Sequence, residues 1–129
     1  MRKFLVCFCF AFIIALIPFL ATPGVSHADG TVTAHGGSTF IWVGTGQKDY
    51  THHTQWVSWI TVESGASTCP SLYEAWTAGF YASKQMCSPA AITWYISRWV
   101  PSGNYVCGAA QVSLNGITER QIACISITV

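Results

Sequence analysis

A small antiparallel β-sandwich held by two disulfides is the fold this sequence predicts, on three observations. Short runs rich in Val, Ile, Thr, Trp and Tyr alternate polar and apolar residues and are punctuated by Gly, Pro and Asn, the pattern of strands and tight turns. Cys107 and Cys124 stand symmetrically about the dipeptide Asn115-Gly116, and Asn-Gly suits a type I′ hairpin turn, whose two central residues both need positive φ. With Leu114 paired to Ile117, Cys107 falls opposite Cys124 at a non-hydrogen-bonded site, where Cα atoms approach to about 4.5 Å. That lies within the roughly 4.4–6.8 Å a disulfide accepts. Third, the end of the chain lays a continuous apolar face over successive strands, and a second layer has to cover it. A flattened barrel is the alternative closure.

Residues 1–28 read as a signal peptide. Arg2 and Lys3 supply the positive start, residues 4–17 are uninterruptedly apolar, and Ser26-His27-Ala28 presents small residues where a signal peptidase reads them. The apolar run is shorter than the ~20 residues of a spanning helix, and Pro18 and Pro23 follow it, so no stable transmembrane anchor is expected after cleavage. Cleavage after Ala28 takes Cys7 and Cys9 with it and leaves residues 29–129 as a single secreted β domain. Its four cysteines read as two bridges in an oxidising, extracellular compartment. Accepting Cys107–Cys124 leaves Cys69–Cys87 by elimination. The signal also removes two of the six basic residues and none of the five acidic ones. A chain so near neutrality has no electrostatic footprint for nucleic acid or for an anionic membrane.

Along the mature chain, residues 31–35 and 39–45 flank Gly36-Gly37 as a first hairpin, and the polar stretch 44–51 reads as a loop. Residues 55–63 form a strand with Trp56, Ile60 and Val62 on one face and Val57 and Trp59 on the other; residues 64–67 break it. The stretch 69–87 fits two structures. As a helix, Pro70 sits near its first turn and Leu72, Trp76 and Phe80 recur every four residues. As a hairpin, which we favour, Thr77-Ala78-Gly79 forms a three-residue loop that again sets Cys69 against Cys87.

Residues 92–100, 105–114 and 117–129 are three further strands. Pro101-Ser102-Gly103 joins the first two, with Pro presetting φ and Gly supplying the left-handed position, which puts Trp99 opposite Tyr105. One face then carries Ile92, Trp94, Ile96, Val100, Val106, Ala110, Val112, Leu114, Ile117, Ala123, Ile125 and Ile127. The other carries Tyr95, Trp99, Tyr105, Cys107, Gln111, Arg120 and Cys124 among Ser and Thr. Arg98 alone breaks the apolar face and has to reach solvent at the sheet margin.

Catalytic and metal chemistry find little support. His52-His53 point to opposite faces of a strand and match no zinc spacing, so no metal site is assigned. Residues 44–48 lack the spacing and context of a phosphate loop. No Gly-x-Ser-x-Gly elbow is present, and the mature cysteines are used as bridges. The carboxylates Asp29, Asp49, Glu63, Glu74 and Glu119 are scattered. Asp49 with His52 or His53, near Tyr50, is the best acid–base cluster available. The expectation is therefore a non-enzyme without cofactors.

Aromatic residues are more informative. Trp42, Trp56 and Trp94 sit beside Ile and Val in strand interiors and read as core. Tyr95, Trp99 and Tyr105 fall among short hydroxyl side chains, with Gln111 and Arg120 nearby. Amphipathic rings in such company make a recognition surface. The expected function is a secreted, non-catalytic module binding an extracellular or cell-surface ligand (a glycan, an envelope component or a protein) through that face. The alternatives are an antimicrobial, bacteriocin-like toxin acting on a competitor's envelope, and a protease inhibitor presenting residues 64–68 or 100–105.

Overall fold

The computed structural model describes residues 30–129; the signal segment and its cleavage after Ala28 lie outside the described residues. Eight strands follow in order: β1 (Gly30–Gly36), β2 (Thr39–Asp49), β3 (Thr54–Ser64), β4 (Ser71–Thr77), β5 (Phe80–Met86), β6 (Ala90–Pro101), β7 (Tyr105–Leu114) and β8 (Ile117–Ser126). They form two four-stranded antiparallel sheets, β1-β2-β3-β6 and β5-β4-β7-β8, packed face to face. The sheets keep separate edges, so the sandwich forms and the barrel does not. Among the described residues no helix is long and apolar enough to cross a membrane.

Alternation drives the packing. Ile41, Val43, Ile60, Val62, Ile92 and Val100 point inward from the first sheet, and Tyr73, Ala75, Val106, Ala110, Val112 and Ile125 meet them from the second. Full burial of each Val or Ile favours the fold by about 1.5–3 kcal/mol. The sheets pack tightly at Gly108, where an added Cβ would stand 2.5 Å from Ile41 Cγ2.

The closing hairpin forms in the expected register. Leu114 pairs with Ile117 and Cys107 with Cys124, the bridge between them closes a Cα separation of 4.1 Å, and Asn115 and Gly116 have φ of 52° and 79°. The stretch 69–87 is a hairpin rather than a helix. Its turn is one residue shorter than expected, with Thr77 paired to Phe80 around Ala78-Gly79. The ladder is therefore shifted by one, and the Cys69–Cys87 bridge closes just beyond its end, at Cα atoms 4.3 Å apart. Two disulfides of this kind fit an oxidising, extracellular compartment.

The expected hairpin across Pro101-Ser102-Gly103 is corrected. β6 pairs with β3 and β7 with β4, so Trp99 stands opposite Trp56 and not Tyr105. A tight turn does occur: the Asn104 N–H donates to the Pro101 carbonyl at 3.2 Å, and Gly103 has φ 85°. It carries the chain from one sheet to the other. Most of the expected apolar face does point into the core, because β6 and β7 look into it from opposite sides; Leu114 and Ile117, which close the β7–β8 turn, are corrected to exposed positions. Alternation reports which way a side chain points, and two strands facing each other satisfy it as well as two strands side by side.

Three smaller corrections follow. Residues 44–49 continue β2 through two register shifts instead of forming a loop. Arg98 occupies an inward position on edge strand β6 and, instead of reaching solvent, spans to the other sheet. There its Nη1 donates to the Ala78 carbonyl at 3.0 Å, and its guanidinium lies over Phe80 at 5.6 Å. The first hairpin turns at Gly37-Ser38, one residue later than read, and Ser38 N and Oγ both donate to Gln121 Oε1 at 2.8 Å, fastening β1 and β2 to β8.

Candidate functional site

The exposed Phe40, Tyr95 and Trp99 share the outer face of the first sheet with the half-buried Trp42, Trp56 and Trp59, and a bulge places Trp56 and Trp59 there together. Val57 and Ile60 are both fully buried, although residues three apart on a regular strand face opposite ways. Ser58 resolves the conflict as an extra residue: Thr45 pairs with Val57 and the adjacent Gly44 with Trp59. Bulges re-aim side chains in this way. Trp56 and Trp59 consequently both point outward. The expected split of β3, with Trp56 beside Ile60 and Val62 and with Val57 beside Trp59, is corrected on this ground. So is the core placement of Trp42 and Trp56. Trp94 does pack against the core.

The outer face can be read across the strands in rows. Thr33, Trp42, Thr61 and Thr93 are successive partners, followed by Thr31, Gly44, Trp59 and Tyr95, and then by Trp56 and Trp99. At one end His35 and Phe40 approach at 5.9 Å between ring centroids, and Phe40 stacks on Trp42 at 6.1 Å. At the other, Trp56 meets Trp99 edge-on at 5.5 Å and 71°. Gly44 matters here because an added Cβ would stand 2.8 Å from Trp59 Cδ1; the missing side chain lets the indole lie flat across β2. Thr61 and Thr93 share a hydrogen bond of 2.6 Å between the rows of rings. At a strand rise of about 3.3 Å per residue, the platform runs roughly 25 Å. Tyr95 is 80% exposed and Trp99 42%.

A pocket of about 320 Å³ ends this platform, lined by Asp49, His52, Thr54 and Trp99. Asp49 closes β2 and organises the turn that follows. Its Oδ1 accepts from the Thr51 and His52 N–H groups at 2.9 and 3.1 Å, and its Oδ2 meets His52 Nδ1 at 2.7 Å. The bonds from His52, side chain first, hold the Asp49 carboxyl below its usual range. The expected association of Asp49 with His52 thus exists as a direct contact. Among the described residues no three His, Cys, Asp or Glu side chains converge as metal ligands.

The five residues expected to form one binding surface fall on two. Tyr95 and Trp99 belong to the aromatic platform on the first sheet, while Tyr105, Gln111 and Arg120 lie in the second sheet. Arg120 is engaged on that outer surface. Its Nε donates to Glu74 Oε2 at 2.6 Å and its guanidinium lies 5.0 Å from the Trp76 ring centroid. Tyr81 OH donates to the other Glu74 oxygen at 2.7 Å.

Arg120 foremost, helped by Tyr81, lowers the pKa of Glu74, a carboxylate only 7% exposed. A lowered folded value means that the unfolded chain binds the proton more readily. The stabilisation is complete above the ordinary value near 4.5 and is lost as pH falls through the folded value. In urea titrations at pH 7 and pH 3, Glu74→Gln is therefore expected to lose less stability on acidification than the parent chain. An unchanged acid limb would show that the pair carries no such linkage.

Phe40, Trp42, Trp56 and Trp59 are platform residues that sequence reasoning missed. For Trp56 and Trp59 the signal was their spacing around Val57 and Ile60, since two aliphatic residues three apart cannot both be buried unless the strand is bulged; for Phe40 and Trp42 it was their alternation with Ile41 and Val43. No protein-family model, curated protein or solved structure matches the chain.

Proposed function

We propose that the protein is a secreted, non-catalytic module that binds an extracellular glycan through the aromatic outer face of its first sheet. The observation carrying this reading is the composition of that face. Flat indole and phenol rings alternate with threonine hydroxyls over roughly 25 Å, and Glu63 at the Phe40 end is its one acidic member. Pyranose units offer the matching chemistry, with apolar C–H faces to lie on rings and hydroxyl rims to exchange hydrogen bonds with neighbouring side chains. An exposed ring platform of this extent is a recognition feature, since soluble chains seldom leave contiguous apolar surface uncovered. The signal segment and paired cysteines support export to a compartment where such polymers are found.

Depletion assays with the oxidised protein on cellulose, chitin, mannan and bacterial peptidoglycan test the reading. At least one polymer is expected to retain the protein, and Trp42→Ala to weaken that retention about tenfold, equivalent to about 1.4 kcal/mol, with its urea midpoint little changed. Retention on none of these, or retention indifferent to Trp42→Ala and Tyr95→Ala, overturns the proposal.

A further inference from the structure

We infer that the pocket formed by Asp49, His52, Thr54 and Trp99 is a subsite for a single neutral sugar unit, the end residue of the glycan lying on the platform. The inference rests on the glycan reading and adds to it a position and a polarity. The volume of about 320 Å³ is at the small end of ligand pockets, suited to one ring and not to an extended chain. Trp99 provides the flat wall, and Trp56 packed edge-on against it fixes the indole's tilt.

Charge decides the ligand class. Among the described residues no Lys or Arg lines the pocket, so a phosphate or carboxylate ligand finds no counter-ion in its described wall. The Asp49 carboxylate already receives two backbone N–H groups and the His52 ring, which leaves it poorly placed to hold a cation. What remains is neutral hydrogen-bonding capacity. With Nδ1 engaged by Asp49, the His52 ring presents Nε2 to a ligand hydroxyl, and the same contact orients the ring. Thr54 adds a hydroxyl that both donates and accepts. A ring nitrogen, a two-way hydroxyl and an aromatic wall suit a ring whose rim carries adjacent hydroxyl groups, since a hydroxyl can both donate and accept.

Titration calorimetry with free glucose, galactose, mannose and N-acetylglucosamine, alongside oligosaccharides of the polymer retained in the depletion assay, provides the test. One free sugar is expected to bind, and His52→Ala and Trp99→Ala to weaken it at least tenfold, whereas Lys84→Ala, on the exposed edge strand of the other sheet, leaves it unchanged. His52 is 75% exposed in its turn, so His52→Ala keeps the fold even if Trp99→Ala does not. Asp49→Asn is expected to weaken binding as well, because the imidazole loses its orienting carboxylate. Oligosaccharide binding that depends on Trp42 but not on His52 or Trp99 overturns the pocket and leaves the platform reading standing. Binding of neither free sugars nor oligosaccharides overturns both.

Discussion

Gly36→Ala is expected to lower the unfolding free energy by about 3 kcal/mol, although it adds a single methyl group at a half-exposed position. Gly36 ends β1 where the first hairpin lies against β8. An added Cβ would collide with the Ile122 carbonyl oxygen and stand 2.7 Å from its carbonyl carbon. The obstacle is main chain, held in a ladder with Ala109, so no side-chain rotation relieves it. The hairpin tip has to lift, which also pulls Ser38 away from Gln121. Overpacking of this kind costs about 1–3 kcal/mol, and the lost hydrogen bonds add about 1 kcal/mol each. Gly65→Ala, where nothing lies within 4 Å, serves as the control and is expected to be near neutral. Chemical denaturation compares them; a loss below 1 kcal/mol for Gly36→Ala would mean that the hairpin and β8 separate freely.

Reduction of the bridges is the second large effect. The two loops they close differ by one residue, with sequence separations of 18 and 17, and each contributes about 3 kcal/mol by restricting the unfolded chain. Cys107→Ala combined with Cys124→Ala is therefore expected to lower the thermal midpoint by roughly 15 °C, given about 4–8 °C per kcal/mol for a domain of this size. Reducing both bridges removes about 6 kcal/mol from a total that is typically 5–15 kcal/mol, which brings the fold close to its limit at room temperature. Thermal scans with and without dithiothreitol measure this. A reduced protein melting within 5 °C of the oxidised one would place the stability in the core alone.

How far the sequence reveals this molecule differs from one element to the next. The β7–β8 hairpin was legible in full, because turn chemistry and cysteine placement fix one register independently. The sandwich was legible from the need to cover an apolar face. The partners of β6 were not: a strand's alternation records inside and outside, while its neighbour is chosen by long-range packing, and Pro101-Ser102-Gly103 serves equally as a hairpin loop or as a corner between sheets. The candidate site suffered from the same ambiguity. Tyr95 and Trp99 were found because they alternate with buried residues on a regular strand, and they remain together. Tyr105, Gln111 and Arg120 were joined to them only through the supposed pairing of β6 with β7. Trp56 and Trp59 were misassigned through one inserted residue, Ser58, whose effect reverses the faces of everything before it on the strand. His52 reads from sequence as a metal or acid–base residue; its place in a pocket depends on the Pro101 corner, whose Ser102 N–H donates to the His53 carbonyl and sets the 50–53 turn beside Trp99.

Both covalent cross-links lie at the hairpins of the second sheet, one at the base of β4–β5 and one within β7–β8. The first sheet carries the ring platform and, among the described residues, has no such reinforcement. Tension applied to that platform reaches the stapled half through the backbone connections that cross between the sheets, through side-chain packing, and through the Ser38–Gln121 clasp and the Arg98 span. Mechanically, the molecule is a compliant gripping layer mounted on a stiff backing plate. Under load from the amino-terminal end, β1 would peel first, while the cross-linked half kept its shape.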